Sequence, residues 1–119
     1  MITANIASHL PVMAQRQPDT HAVVVQSANA SEKSESILYK KSYTYKELDE
    51  VSDVIANGLK LHGISKGTRT VLMVKPGLDF FALVFALFKL EAVLVAVDPG
   101  MGIKNLGKCL AEAEPEAFI

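Results

Sequence analysis

The sequence predicts an α/β fold: a parallel sheet with helices on both faces, preceded by an N-terminal helix and an antiparallel hairpin. Three observations point there. Thr70–Val74 (TVLMV) and Ala92–Val97 (AVLVAV) are apolar without alternation, the mark of strands buried on both faces under helices. Apolar strands begin at Thr70, Ala92 and Ala117, about 22 to 25 residues apart, the length of a strand, a crossover helix and a turn. Before them, a long amphipathic segment opens on the capping-box pattern Thr44-x-x-Glu47. Half of the 119 residues are hydrophobic and 21% are charged, a balance that excludes disorder. A chain of this length is one domain or part of a larger one, and buries roughly two-thirds of its unfolded surface.

The elements follow in order. Asn5 is a candidate cap for a short helix in which Ile6, Leu10 and Met13 recur at helical spacing. Pro11 is expected to bend or loosen it, and Gln17-Pro18-Asp19 ends it. Ala22–Gln26 and Ile37–Ser42 read as two strands of a hairpin. The polar stretch Ser27–Ser36 between them reads as a surface loop. After Thr44, an apolar face of Leu48, Val51, Ile55 and Leu59, with Ala56 beside it, predicts a helix of about five turns. Asp49, Glu50, Asp53, Asn57 and Lys60 fall on its expected solvated face. Gly63 suits its C-terminal cap. Pro76-Gly77 turns the chain into a helix over Leu78–Leu90, apolar almost all round. Asp98-Pro99-Gly100 turns it into another over Ile103–Ala113, with Ile103, Leu106, Leu110 and Ala113 on one face. Glu114-Pro115 breaks that helix, and Ala117–Ile119 begins a third apolar strand. The sequence stops there on an apolar residue, from which the chain is expected to be the beginning of a longer protein.

Composition narrows the function. The net charge of −1 offers no basic field for nucleic acid and no polybasic membrane patch. The most apolar stretch, Phe80–Val97, is interrupted by Lys89 and Glu91. Its unbroken part, Phe80–Phe88, falls well short of the about 20 residues that a membrane span requires. The N-terminus lacks the basic start and apolar run of a secretory signal, so Asn29-Ala30-Ser31, a glycosylation pattern, means only a polar loop. A single cysteine, Cys109, excludes an intrachain disulfide and fits a reducing compartment. A cytoplasmic location is expected.

Candidate chemistry is sparse. Gly100-x-Gly102 and Gly107 follow a strand and open a helix, but this spacing is neither the dinucleotide fingerprint nor the phosphate loop. It reads as a tight turn plus a small packing residue. Lys75-Pro76-Gly77 and Asp98-Pro99-Gly100 follow the C-terminal ends of two parallel strands, where open α/β sheets bind ligands at a switch in strand order. Lys75, Gly77, Asp98, Gly100 and Gly102 are therefore the candidate binding residues. No catalytic residue and no metal site is expected. His9, His21 and His62 form no ligand cluster, and Cys109 reads as an inert packing thiol. Asp49 and Asp53 share a helix face but could work as acid and base only in a buried cleft.

The residues also match a known pattern. Tyr43-Thr44-Tyr45-Lys46-Glu47-Leu48, Ala56-Asn57-Gly58-Leu59 and Gly63-Ile64-Ser65-Lys66-Gly67-Thr68-Arg69-Thr70-Val71 occur in this order, followed by Asp79–Leu90, Ala92-Val93 and Asp98-Pro99. The ordered set resembles the N-terminal region of the adenylate-forming (AMP-binding) enzymes, which include acyl-CoA synthetases, luciferases and peptide-synthetase adenylation domains. Val97–Leu110 is similar to the fatty-acyl ligase branch of olefin biosynthesis, whose members close β-hydroxy acids to β-lactones. The resemblance implies that residues 1–119 are the N-terminal part of an AMP-binding domain, truncated before its phosphate-binding loop. It implies a parent enzyme that activates a fatty acid or β-hydroxy acid with ATP and Mg²⁺ and uses CoA where it makes thioesters. The family's phosphate loop, adenine and ribose motifs and catalytic lysine have no match here, so the chain itself is expected to bind no cofactor and to be inactive. The family usually has Gly where this sequence has Glu91. Either the turn there differs or about 1 kcal/mol of stability is lost. Uncovered sheet edges and apolar faces predict a homo-oligomer. The alternatives are a small Rossmann-like nucleotide-binding module and a protein-interaction domain.

Overall fold

The computed structural model describes residues 4–25 and 41–119. Asn5 opens the chain as expected: its side chain accepts from Ala7 N at 3.0 Å and caps a 3-10 turn, Ile6–Ser8, which leads into α1, His9–Arg16. Pro11 leaves α1 unbroken. It lies in the first turn, where its missing N–H would have no intrahelical partner. The expected apolar stripe is altered instead. A 3-10 turn advances faster around its axis than an α-helix, so Ile6 swings out to 69% exposure while Ala7 and Leu10 are buried.

Strands β1, His21–Val24, and β2, Ser42–Thr44, pair antiparallel, with a bulge between His21 and Val23. Thus β1 begins one residue earlier than the sequence predicts and β2 lies on the C-terminal side of its prediction. Gln26, Ile37–Lys40 and the predicted loop Ser27–Ser36 lie outside the described residues. The capping box at the start of α2, Tyr45–Leu61, forms as predicted. Thr44 Oγ1 accepts from Glu47 N at 3.1 Å, and Glu47 Oε1 accepts from Thr44 N at 3.3 Å. Leu48, Ser52 and Ala56 are buried along one face of α2. Ser52 sits in the core without cost because its hydroxyl donates to Asp49 O at 3.0 Å. Gly63, at φ +92°, ends α2 in a Schellman motif: Gly63 N donates to Lys60 O, and Ile64 N donates to Leu59 O, both at 3.1 Å.

The second half is a three-stranded parallel sheet of order β4-β3-β5. Its strands are β3, Arg69–Leu72, β4, Val93–Ala96, and β5, Ala117–Phe118. The register pairs Arg69 with Val93 and Leu72 with Ala96 on one side of β3, and Thr70 with Ala117 on the other. Helix α3, Leu78–Lys89, links β3 to β4, and α4, Ile103–Ala113, links β4 to β5. The two links run in opposite directions along the sheet, so right-handed crossovers place α3 and α4 on opposite faces.

Burial is uneven across this sheet. Thr70, Val71 and Leu72 of β3 are buried, as are Ala82, Ala86 and Leu87 of α3. The apolar strand β4 is expected to be buried throughout, yet Val93 and Ala96 are exposed, because β4 is an edge strand here. No residue of α4 is buried, and Gly107 has no heavy atom within 4 Å of where a Cβ would stand. Its expected role as a close-packing residue is not met. Among the described residues, no helix is long and apolar enough to cross a membrane.

Glu91 adopts the conformation that glycine would favour. Its φ is +58°, and the turn after α3 is again a Schellman motif, with Glu91 N donating to Phe88 O at 3.0 Å and Ala92 N to Leu87 O at 3.1 Å. The turn therefore does not differ; the cost is carried as left-handed strain.

Candidate functional site

Two loops leave the C-terminal ends of adjacent strands β3 and β4 and travel to opposite faces. That divergence is the switch in strand order at which open α/β sheets form a ligand crevice. The loop after β3 holds Lys75 and Gly77, and the loop after β4 holds Asp98, Gly100 and Gly102.

The structure gives these candidates different surroundings. Lys75 and Gly77 line an open cleft of about 490 Å³, walled across from them by Val25, Lys41 and Tyr43 of the hairpin and continued by Leu78 of α3. Gly77 is the N-cap of α3 and contributes no side-chain hydrogen bond to its first turn. Its φ of 174° is extended backbone, open to any residue. Asp98, Gly100 and Gly102 do not line this cleft. Asp98 Oδ1 accepts from Gly100 N at 2.8 Å and caps a short 3-10 turn, Pro99–Met101, and Gly102 carries φ +86° into α4. Those three residues build a turn.

Sequence reading missed Lys41 and Tyr43 as cleft residues. Lys41 O accepts from Val25 N at 2.9 Å, which extends the hairpin as far as the cleft, where it faces the residues that follow β3. No local pattern around Lys41 carries that signal.

A second cluster was half legible. Asp49 and Asp53 do share a face of α2, but that face is not fully solvated. Lys89 Nζ, from the end of α3, lies 2.7 Å from Asp49 Oδ1 and from Asp53 Oδ1, and donates to Asp49 O at 3.0 Å. The Lys89 and Asp49 side chains are only 13% and 20% exposed. All three ammonium protons have acceptors, so the cluster reads as a clamp between α2 and α3. Among the described residues, no three His, Cys, Asp or Glu gather to hold a metal ion, and Cys109 is half-buried on α4.

Known proteins resolve the family. The pattern of the AMP-binding enzymes matches residues 11–119. This chain belongs to that family. It is 47% identical over 115 residues to the olefin beta-lactone synthetase of Xanthomonas campestris pv. campestris, and 46% identical to that of Stenotrophomonas maltophilia. Each alignment covers 97% of this chain but only 20% and 21% of the relative, so the chain spans about one-fifth of their length. The N-terminal subdomain of Klebsiella oxytoca NpsA superimposes with a TM-score of 0.82 over 98% of this chain and 27% of that one, at 21% identity. The N-terminal domain of FACL13 from Mycobacterium tuberculosis does so at 0.80, with 22% identity, over 98% of this chain and 26% of that one. At such identities the likeness speaks for the fold: this is the architecture of the N-terminal subdomain of adenylate-forming enzymes.

Proposed function

We propose that this chain is the N-terminal part of an ATP-dependent acyl ligase that converts a β-hydroxy fatty acid into a β-lactone. The 47% identity with an olefin beta-lactone synthetase across 97% of the chain carries this reading. In the parent, ATP and Mg²⁺ activate the substrate carboxylate as its adenylate with loss of pyrophosphate. The substrate's own β-hydroxyl oxygen then attacks the acyl carbon, its proton leaves to solvent, AMP departs and the four-membered ring closes. Transfer to CoA is the alternative fate of the same intermediate.

None of these steps is assigned to a residue present here. No run in the 119 residues matches a phosphate loop, and the described acidic residues form no metal site. What this chain supplies is scaffold: the buried strand β3, its neighbours, and the two loops at the switch in strand order. Pyrophosphate release and lactone formation test the reading. A longer product of the same gene, given ATP, Mg²⁺ and a β-hydroxy acid, is expected to yield lactone, while the 119-residue chain releases no pyrophosphate above a boiled control. Thioester without lactone from the longer protein would overturn the branch assignment, and turnover by the short chain would overturn its scaffold role.

Two further proposals accompany this one. The lone Cys109 supports a reducing, cytoplasmic setting. The uncovered edge strands β4 and β5, with Val93, Ile103 and Phe118 exposed, support self-association of the isolated chain. Light scattering at high micromolar concentration checks the second, where a uniform 12.9 kDa species would contradict it.

A further inference from the structure

Helix α2 carries an apolar face that its own chain leaves bare. Val54 and Leu61 are 72% and 87% exposed. They lie two turns apart, on the side of α2 opposite its buried residues Leu48, Ser52 and Ala56. The buried side packs against α1, α3 and the hairpin, so the bare face is separate from the uncovered edge strands β4 and β5. Gly58 stands between Val54 and Leu61, with no heavy atom within 4 Å of where a Cβ would be. A glycine inside a helix costs stability relative to alanine, and nothing within the chain packs closely enough to require one here. Asp53 and Lys60, also two turns apart, run along one border of this face. Lys89 holds one oxygen of Asp53 at 2.7 Å and leaves that side chain 60% exposed. Among the described residues, no ion pair holds Lys60.

We propose that this face is a two-fold interface with a second copy of the chain. An axis crossing α2 midway between Val54 and Leu61 sets the two helices antiparallel. Val54 of each copy then meets Leu61 of the other, and at the crossing the bare Gly58 lets the two backbones approach closely. The same border of each helix faces its counterpart. There Asp53 stands about 3 Å along the axis from being level with Lys60 of the second copy, within a lysine's reach. Symmetry makes two such pairs, so charge as well as apolar contact selects this register. A single helix pair buries little area, so the dimer is weak, with a micromolar Kd. It depends neither on lactone chemistry nor on the edge strands, and stands or falls apart from both.

A dilution series of the 119-residue chain, followed by backbone amide NMR, tests this. Saturable shifts are expected across residues 53–61. Val54→Ser and Leu61→Ser should each weaken self-association at least about tenfold, since two-fold symmetry counts every lost contact twice. Lys60→Glu and Asp53→Lys should each weaken it about fivefold, because each sets like charges against one another. Mixing those two variants should restore it: one copy then carries two carboxylates on the border and the other two ammonium groups. Only an antiparallel pair of α2 helices gives that rescue. Shifts confined to residues 93–96 and 117–118 would overturn the proposal and leave edge-mediated association standing. Unchanged affinity in both serine variants, or a mixture no tighter than its components, would also overturn it. All four substituted residues are exposed, and Lys89 keeps Asp49 when Asp53 is replaced, so the variants are expected to fold. If Asp53→Lys does not, the serine variants and Lys60→Glu still decide the outcome.

Discussion

Helices α3 and α4 are crossover helices of the same sheet, 12 and 11 residues long, yet they differ in what they bury. Helix α3 hides Ala82, Ala86 and Leu87 completely, whereas α4 has an apolar stripe as regular as any in the chain and leaves Ile103 89% exposed. The difference lies in their surroundings. Helix α3 packs on the sheet with α2 beside it, and Lys89 joins the two helices through Asp49 and Asp53. Helix α4 has no such neighbour among the described residues. A hydrophobic stripe defines which face a helix would bury; a partner surface decides whether it does.

Substitution on each side of this comparison can break it or sharpen it. The largest effect is expected at Leu87, where replacement by Ala costs about 2–5 kcal/mol, the usual range for a buried leucine. The matching Leu110→Ala in α4 costs less than about 1 kcal/mol if its stripe is unpartnered. Urea unfolding measures both, and equal losses would erase the distinction. Next is Lys89→Met, which leaves the half-buried Asp49 carboxylate without its cation. A loss of about 2 kcal/mol is expected, and adding Asp49→Asn should recover part of it in a double-mutant cycle.

Glu91→Gly should act in the opposite direction. It relieves the left-handed residue and gains up to about 1 kcal/mol, since the exposed Lys66–Glu91 pair at 3.5 Å contributes little. A destabilised variant would show that the ion pair outweighs the strain. The smallest effect on folding is expected from Ile103→Ser, within about 0.5 kcal/mol. Sedimentation should nonetheless show weaker self-association if α4 takes part in it.

Much of the fold was legible because its signals are local. Thr44 and Glu47 form a capping box three residues apart, and Gly63 terminates α2 through the turn its sequence announces. The bounds of α4 match the sequence prediction at both ends. What escaped depends on distance. Lys89 is 40 residues from Asp49, and nothing in helical periodicity pairs them. The exposed faces of β4 and α4 escaped for a related reason: apolar composition shows what a strand or helix can bury, and these residues lack the cover. In the candidate site, the end of β3 pointed to Lys75 and Gly77, while Lys41 and Tyr43 enter only through hairpin packing.

Asn5 has a reach out of proportion to its place at the head of the described chain. Its amide donates to Phe88 O at 2.7 Å, across 83 positions of sequence, and so occupies a carbonyl in the closing turn of α3 beside the strained Glu91. The N-terminal residues thus act as a strap across the far end of the most deeply buried helix. Trimming the chain through Asn5 should speed hydrogen exchange at Leu90 and Glu91 as well as at Ala7 and Ser8, whose amides Asn5 holds.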